Sequence, residues 1–347
     1  LNYNTIVDYK KIMSLFEIEA SRHGAITAYK TLQSDADKFI ADSSKVVNIL
    51  SQSFMAKKAA KDHHRNSTHR TGMIDTVRMV DYKFTDDIFR RLKVVKKGKS
   101  HGLVFFVDLS GSMSCIIEDT LKQMIQLVLF CKRVNIPFEV YGFTTRLQSG
   151  EEFDYCRNDS VPNSEDPYTI SLNKTWNQAA PSHYKSNVDG CPVNPFTLVN
   201  LFSSRMSRSE ISVAVRNAFA MFSYYSRTTL SLNIPPIMYL SSTPLIETIV
   251  AAMDIVPKFK TNNKLDIVHT VFLTDGEPTG INMNAHNSHY IKGSFVYDSD
   301  NKHGLQNLMV DMFKQYTGSK AIQFFISDTK QSLPQHLYYG ASRDIFG

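Results

Sequence analysis

A run of apolar residues that ends abruptly in oxygen-bearing side chains constrains this chain more than any other feature. In LVFFVDLSGSMS, residues 103–114, five consecutive apolar residues lead into Asp108, Ser110 and Ser112. A strand that is apolar on both faces is typical of the interior of a parallel sheet covered by helices. The carboxyl ends of such strands form the ligand-binding edge of the sheet. We therefore expect the oxygen cluster to lie at a binding site.

Strand-like and helix-like segments alternate after Gly102. The apolar segments PFEVYGFTT, DIVHTVFLTDG and AIQFFISD are separated by helical patterns such as IIEDTLKQMIQLVLFCKRVN. Strands that alternate with helices imply right-handed crossovers and a sheet covered on both faces. The predicted fold class is α/β, with a doubly wound, mostly parallel sheet preceded by a helical N-terminal region.

The N-terminal region is predicted to contain two helices. Apolar residues recur at helical spacing in IVDYKKIMSLFEIEA and again in FIADSSKVVNILSQSFMAKKAA. The segment TLQSDAD between them offers Ser34 or Asp35 as the N-cap of the second helix. We predict a helical hairpin or bundle that packs on the following domain.

Three regions are predicted along the chain. Residues 1–70 form the helical region, and residues 71–100 form a basic connecting segment with a short strand at RLKVV. Residues 101–347 form the α/β domain. A polar stretch rich in Asn, Ser and Pro at about 146–205 interrupts its alternation of strands and helices and is predicted to be an insertion.

Composition narrows the location of the protein. No stretch approaches the roughly 20 apolar residues that a membrane-spanning helix needs, and the opening LNYNTIVDYKK lacks the apolar core of a signal peptide. The four cysteines are scattered without a CxxC pair, which favours a reducing compartment and argues against structural zinc. We expect a cytoplasmic protein.

Three oxygen-bearing motifs are predicted to form one metal site. They are DLSGS with Asp108, Ser110 and Ser112, then SSTPL with Thr243, and LTDGEP with Asp275. Oxygen ligands without imidazole or thiolate suit Mg²⁺, or Mn²⁺, rather than zinc. Gly111 is expected to let the chain turn tightly between the two serines.

The residue types of this site favour adhesion over hydrolysis. The hydroxyls of Ser110, Ser112 and Thr243 are neutral and can contact the ion, while the two aspartates hold its waters. Such an ion keeps much of its positive charge and an open coordination position. It would then attract a carboxylate from another molecule.

These motifs resemble the metal-ion-dependent adhesion site (MIDAS) of von Willebrand factor A (vWA) domains. The resemblance rests on D-x-S-G-S, a distant T-P-L and a later T-D-G-E-P, and it covers about residues 100–330. It implies a vWA fold and a Mg²⁺-dependent contact with a partner. Ser112 and Thr243 are separated by roughly twice the expected spacing, and the predicted insertion accounts for the excess.

A second resemblance narrows the family. The run RTGMIDT to GLVFFVDLSGSM is similar to the CobT-type subunit of cobaltochelatase, and especially to CobT-like proteins of tailed bacteriophages. The segment LVNLFSSRMSRSE, residues 198–210, is similar to those proteins as well. The resemblance implies a hetero-oligomeric complex with a MoxR-type AAA+ ATPase, in a bacterium or a phage-infected host cell. Metal insertion would belong to the assembled complex, and no cobalt or tetrapyrrole site is visible in the sequence.

Partner contacts are expected in two places. Lys57, Lys58, Lys61 and Arg65 begin a basic segment, residues 57–99, that offers a docking surface as an alternative to a merely solvated face. Two further residues, Met113 and Glu277, lie beside the predicted metal ligands in the sequence and are expected to contact the partner.

Two functions from different classes remain open. The first is a MIDAS adaptor that is not catalytic alone. The second is an RNA-binding vWA protein that uses residues 57–99, whose affinity would fall steeply with salt. A metal-dependent hydrolase with Glu277 as a base near a metal-bound water is a third alternative.

Overall fold

The computed structural model describes most of the chain outside one long central segment and the C-terminus. The described residues are 6–21, 25–65, 67–84, 89–94, 98–145, 196–225, 232–275, 290–292, 295–297 and 302–326.

The described residues contain both helices and strands, which alternate over only part of the chain. The helices are α1 (Tyr9–Ala20), α2 (Ala25–Arg65), α3 (Ile117–Arg133), α4 (Arg208–Tyr225), α5 (Leu245–Asn262) and α6 (Lys302–Thr317). The strands are β1 (Ile6–Val7), β2 (Ser67–Ile74), β3 (Phe89–Val94), β4 (His101–Asp108), β5 (Phe138–Thr145), β6 (Phe196–Ser203), β7 (Ile267–Thr274), β8 (Tyr290–Lys292), β9 (Phe295–Tyr297) and β10 (Lys320–Phe325).

A six-stranded sheet with the order β1-β6-β5-β4-β7-β10 forms the centre of the molecule. All neighbours in this sheet are parallel except β5 and β6, which pair antiparallel. Strand β4 lies between β5 and β7, so Phe105 pairs with both Val140 and Val271. The prediction of an α/β fold with a mostly parallel sheet is confirmed.

Alternate side chains of β4 enter separate cores on the two faces of the sheet. Phe105 and Val107 belong to a cluster that includes residues of α1, α2, α3 and α4. Val104 and Phe106 belong to a second cluster with residues of α5 and α6. Because both faces are covered, β4 is buried along nearly its whole length, which explains its continuous apolar sequence.

The N-terminal helices pack into the first of these cores, but the predicted N-cap between them is wrong. Helix α2 runs unbroken from Ala25 to Arg65, so Ser34 and Asp35 lie in its interior. The apolar side chains of Leu32 and Ala36 are buried at this point, with exposures of 2% and 0%. Packing of this face therefore continues the helix through a sequence that resembles a cap.

Strands lie in the predicted connecting segment and in the predicted insertion. The connecting segment 71–100 contains part of an antiparallel hairpin, in which β2 pairs with β3. The strand predicted at RLKVV is part of β3. Of the predicted insertion at about 146–205, residues 146–195 lie outside the described residues, whereas 196–203 form β6 of the central sheet.

A substitution at Gly142 of β5 tests how closely the sheet packs against Leu109, the residue that follows β4. A Cβ at this position would lie 2.5 Å from Leu109 Cδ1, and Leu109 is fully buried. Replacing Gly142 with alanine should lower the free energy of unfolding by about 1–3 kcal/mol, because the overpacked core has to shift. Gly72→Ala is the matched control, since nothing lies within 4 Å of its added Cβ. Urea unfolding that shows equal stability for the two variants would contradict this packing.

Candidate functional site

The carboxyl ends of β4 and β7 bring the first and third predicted motifs together. These strands are parallel neighbours, and Val107 pairs with Leu273. Asp108 therefore ends β4 beside the end of β7, where Asp275 is the next residue after Thr274. The serines of the DLSGS motif follow within four residues of Asp108.

Hydroxyl and carboxylate oxygens form one hydrogen-bonded cluster at this edge. Ser110 Oγ and Ser112 Oγ lie 3.0 Å apart. Both hydroxyls also donate to Asp275 Oδ1, at 3.3 Å from Ser110 and 2.8 Å from Ser112. Ser110 is 2% exposed, whereas Ser112 is exposed. The cluster therefore extends from the interior to the surface.

Asp108 lies beneath this cluster and is completely buried, with an exposure of 0%. Thr274 Oγ1 donates a hydrogen bond of 2.7 Å to Asp108 Oδ2, while Asp108 Oδ1 has no hydrogen-bond partner. Burial raises the pKa of Asp108 from 3.8 to about 7, and the nearby Asp275 carboxylate raises it further, whereas hydrogen bonding by Thr274 and Ser110 lowers it. A buried carboxylate with one unbonded oxygen is a group that a cation would stabilise.

Backbone hydrogen bonds attach the second motif to the first. Gly111 N donates to Ser241 O at 2.8 Å, and Ser241 N donates to Leu109 O at 3.0 Å. Ser110 and Ser241 thus form a parallel bridge. Thr243 lies two residues beyond Ser241, is 7% exposed and directly precedes Pro244, the N-cap of α5. The structure therefore brings the loop that carries Thr243 to the DLSGS motif.

The role predicted for Gly111 is not found. Its φ is not in the left-handed region, and the nearest atom to an added Cβ would be Ser241 O at 3.9 Å. The turn is made instead by extended backbone at Ser110, followed by a 3₁₀ helix over Gly111–Cys115. The observed role of Gly111 is its backbone N–H, which donates to Ser241 O.

Two residues that support the cluster were missed by the sequence analysis. Thr274 bonds the buried Asp108. Thr145, at the end of β5, donates to Ser241 Oγ at 2.9 Å and accepts from Ser242 N at 3.0 Å. A position at the carboxyl end of an apolar strand is the signal that could have identified Thr274 and Thr145.

The predicted partner-binding residues have different outcomes. Met113 is fully buried in the first core, so its side chain cannot contact a partner and this prediction is corrected. Glu277 lies outside the described residues. Lys57, Lys58 and Lys61 are exposed on α2. Arg65 is the last residue of that helix.

The donor set is unlike a histidine, cysteine or carboxylate cage. Over the described ranges, no group of three or more His, Cys, Asp and Glu side chains could hold a metal ion. The oxygen cluster has only two carboxylates, and its other oxygens are hydroxyls.

None of the helices in the described part of the chain is long and apolar enough to cross a membrane.

Neither the comparison with protein-family models nor the comparison with curated proteins found a match.

The buried carboxylate predicts a specific dependence of stability on pH. Without divalent cations, the free energy of unfolding should fall between about pH 4 and pH 7, because the carboxyl of Asp108 ionises near 3.8 when unfolded and near 7 when folded. Below about pH 4 the buried carboxyl should not lower the free energy of unfolding. Above about pH 7 it should lower that free energy by a constant amount, on the order of 2–4 kcal/mol.

Asp108→Asn keeps the shape of the side chain and should remove this pH-dependent loss of stability, because an amide does not ionise. Urea unfolding of both proteins in EDTA, from pH 4.5 to pH 8, measures the difference on the order of 2–4 kcal/mol expected from the raised pKa. Parallel pH profiles for the two proteins would contradict the burial of a titrating carboxylate at this position.

Proposed function

We propose that this chain is an adaptor with a divalent-cation adhesion site on a doubly wound, vWA-like sheet. The observation that carries the proposal is the convergence of Ser110, Ser112 and Asp275 above a buried carboxylate with an unbonded oxygen. Two loops that follow strands of one sheet contribute these oxygens, and a third, carrying Thr243, is attached by backbone hydrogen bonds.

The residues present fit a hard cation. Ser110, Ser112 and Thr243 would hold Mg²⁺, or Mn²⁺, through neutral oxygens, and the carboxylates of Asp108 and Asp275 would accept hydrogen bonds from its waters. When bound in this way, the ion would have only neutral oxygens of the chain as direct ligands, so a carboxylate could be its first charged ligand. An acidic side chain of a partner is the group that this arrangement would attract.

The partner that we propose is a MoxR-type AAA+ ATPase in a cobaltochelatase-like, CobT-type complex. The resemblance of the residues around the DLSGS motif to that family supports this assignment. In such a complex ATP hydrolysis belongs to the ATPase, and this chain presents a substrate or a further protein. The adaptor itself then needs a binding face, and the exposed hydroxyl of Ser112 lies at the surface end of the cluster.

Binding of Mg²⁺ should require loss of a proton from the site. Because burial raises the pKa of Asp108 to about 7, Mg²⁺ has to compete with a proton at pH 6. Isothermal titration calorimetry should show about tenfold weaker Mg²⁺ binding at pH 6 than at pH 8. At pH 6, one unit below the pKa, only about a tenth of the molecules have an ionised Asp108, whereas at pH 8 most of them do. Equal Mg²⁺ affinity at the two pH values would contradict a role for Asp108 in holding the ion.

Association with a MoxR-type ATPase from the same genome tests the function directly. Wild-type chain should bind in Mg²⁺ and lose about 2–5 kcal/mol of binding free energy in Asp108→Ala or Ser110→Ala, because a bridged ionic contact is broken. Ser114→Ala is the matched control, since among the described residues the Ser114 hydroxyl contacts Cys115 Sγ, at 3.9 Å, and none of the site oxygens. Biolayer interferometry provides the measurement. Undiminished binding in excess EDTA would refute the adaptor function.

A further inference from the structure

The hairpin of β2 and β3 stands apart from both cores. Its strands pair antiparallel, with Thr68 opposite Lys93. Within the described chain, neither strand makes more than marginal contact with any other helix or strand. We call residues 65–99 the arm, with a tip at residues 75–87 and a stem formed by the remainder.

The arm exposes an unusual amount of apolar surface around its tip. Val77, Val80 and Phe84 are 79%, 80% and 90% exposed. Further large apolar side chains with exposures of 48% or more are Met73, Ile74, Met79 and Tyr82. Exposed apolar side chains concentrated in one short segment favour an interaction site.

The arm also carries the whole excess positive charge of the chain. Residues 65–99 contain ten Lys and Arg against four Asp, which equals the formal net charge of +6 of the full sequence. All four aspartates lie in the tip, together with only two basic residues. The stem contains the other eight basic residues and no acid.

This charge distribution selects among the surfaces that could cover the arm. A tip with four carboxylates is repelled by an anionic membrane and by RNA, although the basic stem would suit either. A second copy of the chain would bring a second arm of the same charge. A protein partner can satisfy both parts, because an acidic region of its surface would attract the stem while a separate apolar groove receives the tip.

We propose that the arm is a second docking element, which inserts Val77, Val80 and Phe84 into an apolar groove of an acidic protein partner. The proposal takes its probe, the MoxR-type ATPase, from the proposed function. The arm contributes none of the oxygens of the cluster, although its last residue, Lys99, precedes Asp108 by only nine positions. Contacts through the arm should therefore be independent of divalent cations and additive with those of the metal face.

The test combines tip variants with removal of the cation. Val77→Ser/Val80→Ser should weaken binding to the ATPase by at least about tenfold, in Mg²⁺ and in EDTA alike, because apolar contacts of the tip are lost. Ile49→Ser is the matched control, since Ile49 is a large apolar residue of α2 with 67% exposure. It should bind within about twofold of wild type. All three proteins should unfold at the same urea concentration, because the changed side chains are mostly exposed.

The outcomes separate the arm from the metal face. Wild-type affinity of the tip variant would overturn the arm proposal and leave the adhesion site standing. Binding that ignores EDTA but is lost in the tip variant would support the arm and contradict the adhesion site. Absence of wild-type binding in both buffers would overturn both. Phosphatidylserine vesicles and a short single-stranded RNA serve as further probes. If either probe binds in a manner that depends on the tip, and the ATPase does not bind, the protein partner is contradicted and the arm binds that probe instead.

Discussion

A carboxylate without exposure to water, bonded through one oxygen and unbonded at the other, lies at the end of the central strand β4. The surrounding site depends on this burial. Desolvation of Asp108 is unfavourable for its ionised form, and the nearby carboxylate of Asp275 adds repulsion. The neighbouring hydroxyls are neutral and cannot offset this charge, whereas a proton, or the cation that we propose, would offset it.

The packing of the sheet buries Asp108 and supplies a hydrogen bond to its carboxylate. Helices cover both faces of β4, and the parallel pairing with β7 places Thr274 where its hydroxyl reaches the Asp108 carboxylate. The loop after the 3₁₀ turn at residues 236–238 is then attached by backbone bonds to Leu109 and Gly111. Thr145 fixes the same loop from β5. These hydrogen bonds hold the loop that leads to Thr243 against the DLSGS motif, although the two segments are far apart in sequence.

The elements that sequence reasoning identified correctly have a strong local signal. Continuous apolar runs predicted β4, β7 and β10, and the helical spacing of α3 predicted its buried face. The grouping of Ser110, Ser112 and Asp275 followed from the rule that parallel strands end at one edge. In each case the nearby sequence and one general constraint were sufficient.

The failures share a dependence on distant contacts. Helix α2 continues through Ser34 and Asp35 because residues from elsewhere bury Leu32 and Ala36. Met113 has an unremarkable neighbourhood in sequence, and only the assembled helices show that it is buried. Strand β1 has two residues, too few for a periodic pattern, and is defined by pairing with β6. The threonines that support the cluster resemble ordinary strand residues until their hydroxyl partners are in place.

The anomalous signal of Mn²⁺ in crystals soaked at pH 8 tests the central claim most directly. The account predicts one strong peak in contact with the side-chain oxygens of Ser110, Ser112 and Thr243, and no such peak in Asp108→Ala. A wild-type crystal with Mn²⁺ bound elsewhere, or with these hydroxyls still bonded only to Asp275, would contradict it.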